Sequence, residues 1–168
     1  RGLWLGPLLI ERHGYSLVQS GNVALVVSLV SLFTPALFGR LDPGPARRRR
    51  WLMGFSLVLA GLFLALGLLR HAWVDVGGAI AVGVLSGYMV LQYADVRSAY
   101  PAALTGRAMA VFTMALFLGV ALMQWVTGMA ASVATAHGAD PYAAVMLTIA
   151  CLLVAGVLAF RWLPAPAH

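Results

Sequence analysis

Five long apolar runs mark the chain, at about Leu17–Phe38, Trp51–Leu69, Val74–Ala94, Ala108–Val133 and Tyr142–Trp162. Each is close to the roughly 20 residues a helix needs to cross a bilayer. The runs do not alternate apolar with polar, and they are about twice the length of a barrel strand, so they read as helices. The breaks between them carry Gly, Pro, Asp and Arg, the residues of turns and loops. Leu3–Ile10 is apolar too, but at 1.5 Å per residue its helix reaches only about 15 Å, half a bilayer. No charged n-region precedes it and Glu11-Arg12-His13 follows at once, which does not fit a signal peptide. Arg1–Ile10 is therefore expected to be the second half of a helix that begins upstream. The whole of 1–168 is expected to form one all-α membrane bundle, five full spans and a partial first helix.

Polar content divides the spans. Trp51–Leu69 holds only Ser56, and Tyr142–Trp162 holds only Thr148, Cys151 and Arg161 beyond its first Tyr. These two are expected to face lipid. Leu17–Phe38 carries Gln19, Ser20, Asn22, Ser28, Ser31 and Thr34. Val74–Ala94 carries Ser86, Tyr88, Gln92 and Tyr93, with Asp75 and Asp95 at its ends, and Ala108–Val133 carries Thr113, Gln124, Thr127 and Ser132. Polar side chains in a membrane turn toward the bundle or a wet cavity. Tyr88, Gln92 and Asp95 fall on one helical stripe, as do Thr113, Gln124 and Thr127. These stripes would either line a cavity or bond helix to helix. Ala79, Gly83 and Gly87 occupy another face at small-xxx-small spacing, which predicts close approach of a second helix.

Composition agrees with the pattern. Hydrophobic residues make up 62% of the 168 and charged residues 10%, against about 25% charged in soluble domains. A nucleic-acid module, a disordered tail and a cytosolic enzyme domain are excluded as leading readings. The net charge of +6 comes entirely from eleven Arg, with no Lys. Arg40, Arg47–Arg50, Arg97, Arg107 and Arg161 fall at one end of the expected bundle; Arg12 and Arg70 fall at the other. By the positive-inside rule the arginine-rich end and the C-terminus are expected in the cytoplasm. The Arg47–Arg50 run reads as a loop that sets topology rather than a nucleic-acid patch.

Candidate chemistry is sparse. Without Lys there is no Walker lysine and no Schiff base. Cys151 is the only cysteine, which excludes an intrachain disulfide and a Cys-based zinc site. The four His lie at loops or the tail, and no nucleophile–base–orienter set emerges, so an enzyme, a bound metal and a cofactor are not expected. Glu11-Arg12-His13 offers too few ligands for a metal and reads as a solvated loop. Every carboxylate lies at a membrane edge: Glu11, Asp75 and Asp140 at one, Asp42 and Asp95 at the other. Arg1, counted back from Ile10, lies about 15 Å deep, near the midplane, where an ionisable residue is a candidate functional group.

Three stretches resemble the C-terminal half of a major facilitator superfamily transporter. Gly2-Leu-Trp-Leu-Gly-Pro-Leu through Gly14-Tyr-Ser and Gly21-Asn22 is similar to the end of helix seven entering helix eight. Gly39-Arg-Leu-Asp42 with the Arg run resembles the family's short cytoplasmic loop, though Pro43-Gly44-Pro45 departs from it. Tyr100-Pro-Ala-Ala-Leu-Thr-Gly106-Arg107-Ala108, then Phe117, Gly119, Gln124-Trp125 and Gly128, is similar to helix eleven, with Thr113 where relatives often have Asn.

The resemblance implies a permease of a bacterial inner membrane that moves a small solute by alternating access, with the substrate held between this half and an N-terminal six-helix half. It implies that helices nine and twelve are peripheral and seven, eight, ten and eleven border the cavity, which agrees with the polar partition of nine and twelve against eight, ten and eleven. Arg1, Asn22, Tyr88, Gln92, Thr113, Gln124 and Thr127 are the expected cavity residues. Asp42, Asp95, Arg97 and Arg107 are the expected gating or ion-pair residues, with Asp42 reaching a helix N-terminus across the half-to-half interface. Lipid and the other half are the expected partners, with self-association of the chain when alone. The alternative is a structural or assembly membrane module without transport.

Overall fold

The computed structural model describes residues 5–69 and 71–162, and among these every regular element is helical. Arg1 lies outside the described residues. The order is α1 Leu5–His13, α2 Leu17–Arg40, α3 Pro45–Leu68, α4 Ala72–Leu85, a 3-10 turn Ser86–Tyr88, α5 Met89–Ala99, α6 Ala102–Ala136 and α7 Pro141–Trp162. Five stretches are long and apolar enough to span a membrane: α2, α3, the near-continuous Ala72–Ala99, α6 and α7. The chain is thus an all-helical protein with the makings of an integral membrane bundle.

The helices run past their apolar cores. The span expected from Trp51 starts at Pro45, and the one expected from Ala108 starts at Ala102. Proline explains both, because its fixed φ and missing N–H suit a helix start. Arg47–Arg50 is consequently the opening of α3 and not the loop expected. Likewise Glu11, Arg12 and His13 close α1 rather than forming a solvated loop; Gly14, at φ 67°, ends the helix. A capping box between Ser16 and Gln19 then starts α2. Pro35 lies inside α2 and leaves the Ser31 carbonyl without its helical donor. The Thr34 hydroxyl donates to that carbonyl at 3.0 Å.

Small residues decide the packing. A Cβ on Gly83 would stand 3.1 Å from Val27 Cγ1 and Ser31 Oγ, and one on Gly87 would stand 2.7 Å from the Thr34 backbone and side chain. The Ala79–Gly83–Gly87 face therefore meets α2, as its spacing predicted. Gly67 performs the same task between α3 and α7, where a Cβ would be 3.3 Å from Met146 and Leu147. Leu8, Leu9, Leu59, Leu66, Val82, Tyr142 and Met146 form the main core, drawn from α1, α3, α4 and α7. Phe38, Leu52 and Leu91 form a second core nearer the arginine-rich end.

α3 and α7, read as lipid-facing, make the most extensive helix pair in the bundle. Both also carry exposed apolar faces, Leu57, Val58 and Leu64 on α3 and Val154 and Leu158 on α7. The least covered helix is α6, whose membrane-length window has 0% of its residues buried although the helix packs on α7 and buries Thr127. Lipid is as apolar as a leucine face, so shape and small residues, rather than polarity, choose helix partners.

Gly87→Ala is expected to cost about 1–3 kcal/mol, because the Thr34 backbone cannot move aside cheaply. Gly61→Ala, in open space on α3, should cost nothing and gain up to about 1 kcal/mol. Unfolding of both variants in the same detergent, followed by circular dichroism, checks the contrast.

Candidate functional site

Two polar nodes hold the ends of the bundle, and a cleft lies between them. The first node forms where α1 ends and α4 and α7 begin. The last turn of α1 supplies Arg12 and His13, the first turn of α4 supplies Asp75, and Asp140 caps α7 through the amide of Tyr142 at 2.9 Å. Arg12 is the hub. Its Nη1 donates to Asp75 Oδ2 at 3.3 Å and to the Leu66 carbonyl of α3 at 3.4 Å, and its Nη2 donates to Asp140 Oδ2 at 3.2 Å. His13 Nε2 meets the same Asp75 oxygen at 2.5 Å. Tyr142 Oη donates to Glu11 Oε2.

Burial gives this node its weight. Asp75 is 1% exposed, Arg12 9% and His13 11%. A carboxylate so placed persists as an ion only when paired and hydrogen-bonded. Asp75 has partners on Oδ2, while its Oδ1 has none among the described residues. Its position at the N-terminus of α4 adds a favourable dipole. Sequence reasoning placed Asp75 at a membrane edge and missed its enclosure. The available signal was a lone acid in the first turn of an apolar helix, facing an isolated basic pair at the same end. Their separations of 63 and 62 residues hid the pairing.

The second node lies at the arginine-rich end. Asp42 Oδ1 accepts from the Gly44 amide at 3.1 Å and from Arg48 Nε at 3.1 Å, while Oδ2 accepts from Arg48 Nη2 at 2.6 Å. Arg48 Nη1 goes on to Ser98 Oγ of α5 at 2.9 Å, and Ser98 donates to the Asp95 carbonyl at 3.0 Å. Four consecutive arginines at a helix N-terminus oppose its dipole. Asp42 offsets this with a bidentate clamp on Arg48. Within this chain its side-chain partner is Arg48 of its own hairpin. Arg49 reaches the end of α7, with Cζ 4.7 Å from the centre of the Phe160 ring and Nη2 on the Phe160 carbonyl. Asp95 is half-buried and forms no ion pair with Arg97 or Arg107, both of which are exposed.

The cavity candidates separate. Tyr88 and Gln92 share a cleft of about 370 Å³ between α3, α5, α6 and α7, walled by Leu52, Phe112, Leu116 and Phe160. The Tyr88 hydroxyl lies 3.3 Å from Ser56 Oγ. Ser56 was passed over because it is the lone polar residue of a dry helix. Thr113 is half-buried, whereas Asn22 and Gln124 are exposed on α2 and α6. Thr127 is buried and donates to the Met123 and Gln124 carbonyls of its own helix, at 2.8 and 3.1 Å. The cleft offers a phenol, an amide and a hydroxyl in an apolar frame. That suits an uncharged or weakly polar molecule with aromatic or aliphatic bulk. Among the described residues no three His, Cys, Asp or Glu side chains converge as a metal site.

Compared with known protein families, curated proteins and solved structures, the chain matches none.

The Asp42 clamp carries a pH signature. The Arg48 hydrogen bond is the main cause of a pKa held below the ordinary 3.8, with the Gly44 amide helping and partial burial opposing. A depressed folded pKa contributes stability that is fully present above 3.8 and is lost as pH falls through the lower folded value. The Gly44 amide should therefore keep its hydrogen-exchange protection at pH 5 and above and lose it only in strong acid. Arg48→Met should remove that protection at neutral pH. Protection that faded between pH 7 and 5 in the unaltered chain would contradict this assignment.

Proposed function

We propose that the chain is one helical bundle of a secondary transporter, moving a small solute across a membrane by alternating access against a second bundle. One observation carries the reading: α6 is long enough to span and almost bare, and it presents the Gln124 amide on its exposed surface. An amide facing hydrocarbon is costly, so such a face fits a protein partner or a wet cavity. Asn22 on exposed α2 extends the same argument.

Tyr88 and Gln92, in the cleft behind α6, are the residues best placed to hold a solute that enters between bundles. The second bundle corresponds to the N-terminal half of the major facilitator superfamily fold that the sequence resembles. Arg97 and Arg107, exposed near the arginine-rich end, are available to pair across that junction. In this reading the arginine-rich end is cytoplasmic and the membrane is a bacterial inner membrane. An assembly module remains the second reading, since the bare α6 face would equally receive a neighbouring copy.

The test is uptake into liposomes carrying the complete product of the gene. We expect saturable uptake of one solute class. Gln92→Ala or Gln124→Ala should lower it about tenfold, the loss of one hydrogen bond of about 1.4 kcal/mol. The 168-residue chain alone should give no saturable flux. Robust selective flux from this chain alone would overturn the two-bundle reading. A complete product that assembles but moves no solute in a broad panel would favour the assembly module.

A further inference from the structure

The node at the end of α1 contains more than a structural ion pair requires. Arg12 alone would anchor Asp75, and it cannot surrender its proton. His13 is bonded to the same Asp75 oxygen, and histidine is the side chain that exchanges a proton in the ordinary pH range. An ionised Asp75 can only accept, and in that state the hydrogen of the 2.5 Å contact belongs to His13 Nε2. Nδ1 then holds the open lone pair. Asp75 is 1% exposed and keeps Oδ1 without a partner among the described residues. It also lines a small apolar pocket of about 50 Å³ with Leu5, Leu66 and Val82.

We propose that His13 and Asp75 form a proton-binding site, and that Arg12 transmits its occupancy to α7. A proton from the aqueous side bonds to His13 Nδ1, and the neutral imidazole becomes an imidazolium. Nε2–H stays on Asp75, now as a charge-assisted bond. Asp75 then has a full positive partner besides Arg12, and the guanidinium is free to move toward Asp140. Arg12 also touches the Leu66 carbonyl, so one proton shifts the balance among α1, α3, α4 and α7.

The charged and titratable surroundings come from every adjoining element. α1 brings Glu11 and Arg12, and the following turn brings Tyr15, whose ring centre is 6.4 Å from that of His13. His71, exposed, stands at the N-cap of α4 and accepts the Asp75 amide on its carbonyl at 3.0 Å. α7 brings Asp140 and Tyr142, and α3 contributes its backbone. Of these, Glu11 is engaged by Tyr142, and Tyr15 and His71 do not reach Asp75 with a side-chain bond. The site itself is thus His13, Asp75 and Arg12. Resting on the transport reading, it makes the proton the coupling ion.

The purified chain in lipid nanodiscs tests the site without transport. Nitrogen NMR of the His13 ring should show Nδ1 gaining a proton on acidification. The Asp75 carboxyl carbon should shift in the same step. Spin labels at Ile10 and Ala139, in a Cys151→Ala background, should report an α1–α7 distance that changes over that step. His13→Gln keeps a hydrogen-bond donor but takes no proton, so it should fold and hold a pH-independent distance. Asp75→Asn should uncouple the ring signal from the distance. An Nδ1 signal that does not respond, or a wild-type distance change that survives in His13→Gln, would overturn the proposal. With the complete gene product in liposomes, His13→Gln should abolish proton movement and leave solute exchange. If no solute moves at all while the nanodisc responses persist, the transport reading fails and the proton site stands.

Discussion

Asp75 is a carboxylate with almost no access to solvent, placed at the mouth of an apolar helix. Isolating such a charge is expensive, so the chain must bring cations to it. Those cations come from α1, a helix of nine residues that buries Leu8 and Leu9. Arg12 then serves Asp75, Asp140 and the Leu66 carbonyl together. α1 is thereby tied to α3, α4 and α7, and Leu8 and Leu9 carry it into the main core of the bundle.

The two ends of the molecule solve different electrostatic problems. At the α1 end the difficulty is an enclosed anion, and the remedy is a cation from a distant part of the sequence. At the opposite end the difficulty is four successive arginines entering a helix N-terminus, and the remedy is local: Asp42 closes on Arg48 six residues away. Between the ends the described residues carry no charge, and geometry governs. Gly67, Gly83 and Gly87 bring backbones close, and the Ser31 hydroxyl reaches the Gly83 carbonyl at 3.3 Å across that contact. The cleft with Tyr88 and Gln92 lies in this uncharged zone, close to the 3-10 turn that interrupts the α4–α5 helix.

Much of the fold was legible because membrane helices depend on length and apolarity, which are local properties. The five spans and the meeting of the Gly83–Gly87 face with another helix followed from spacing alone. Helix ends were less legible. Pro45 and Pro101 start helices ahead of the apolar core, so Arg47–Arg50 and Arg107 fall inside helices rather than loops. The candidate site was the least legible part. The stripe of Tyr88, Gln92 and Asp95 has its first two members on one cleft and Asp95 outside it, and spacing could not show that Thr127 spends its hydroxyl on its own helix or that Gln124 is exposed. Arg12, His13 and Asp75 were set aside because each, taken singly, looks like a solvated end residue. Only the return of the chain at α4 and α7 turns them into an enclosed network.

The bundle depends on the Arg12–Asp75 pair as its tie. A double-mutant cycle measures it most directly, using Arg12→Met, Asp75→Leu and the double variant in one detergent, with unfolding free energy as the readout. Each single change should be costly, because it strands a buried charge, and the double change should recover a coupling energy above about 1 kcal/mol. Additive costs, with coupling within about 0.3–0.5 kcal/mol of zero, would contradict it.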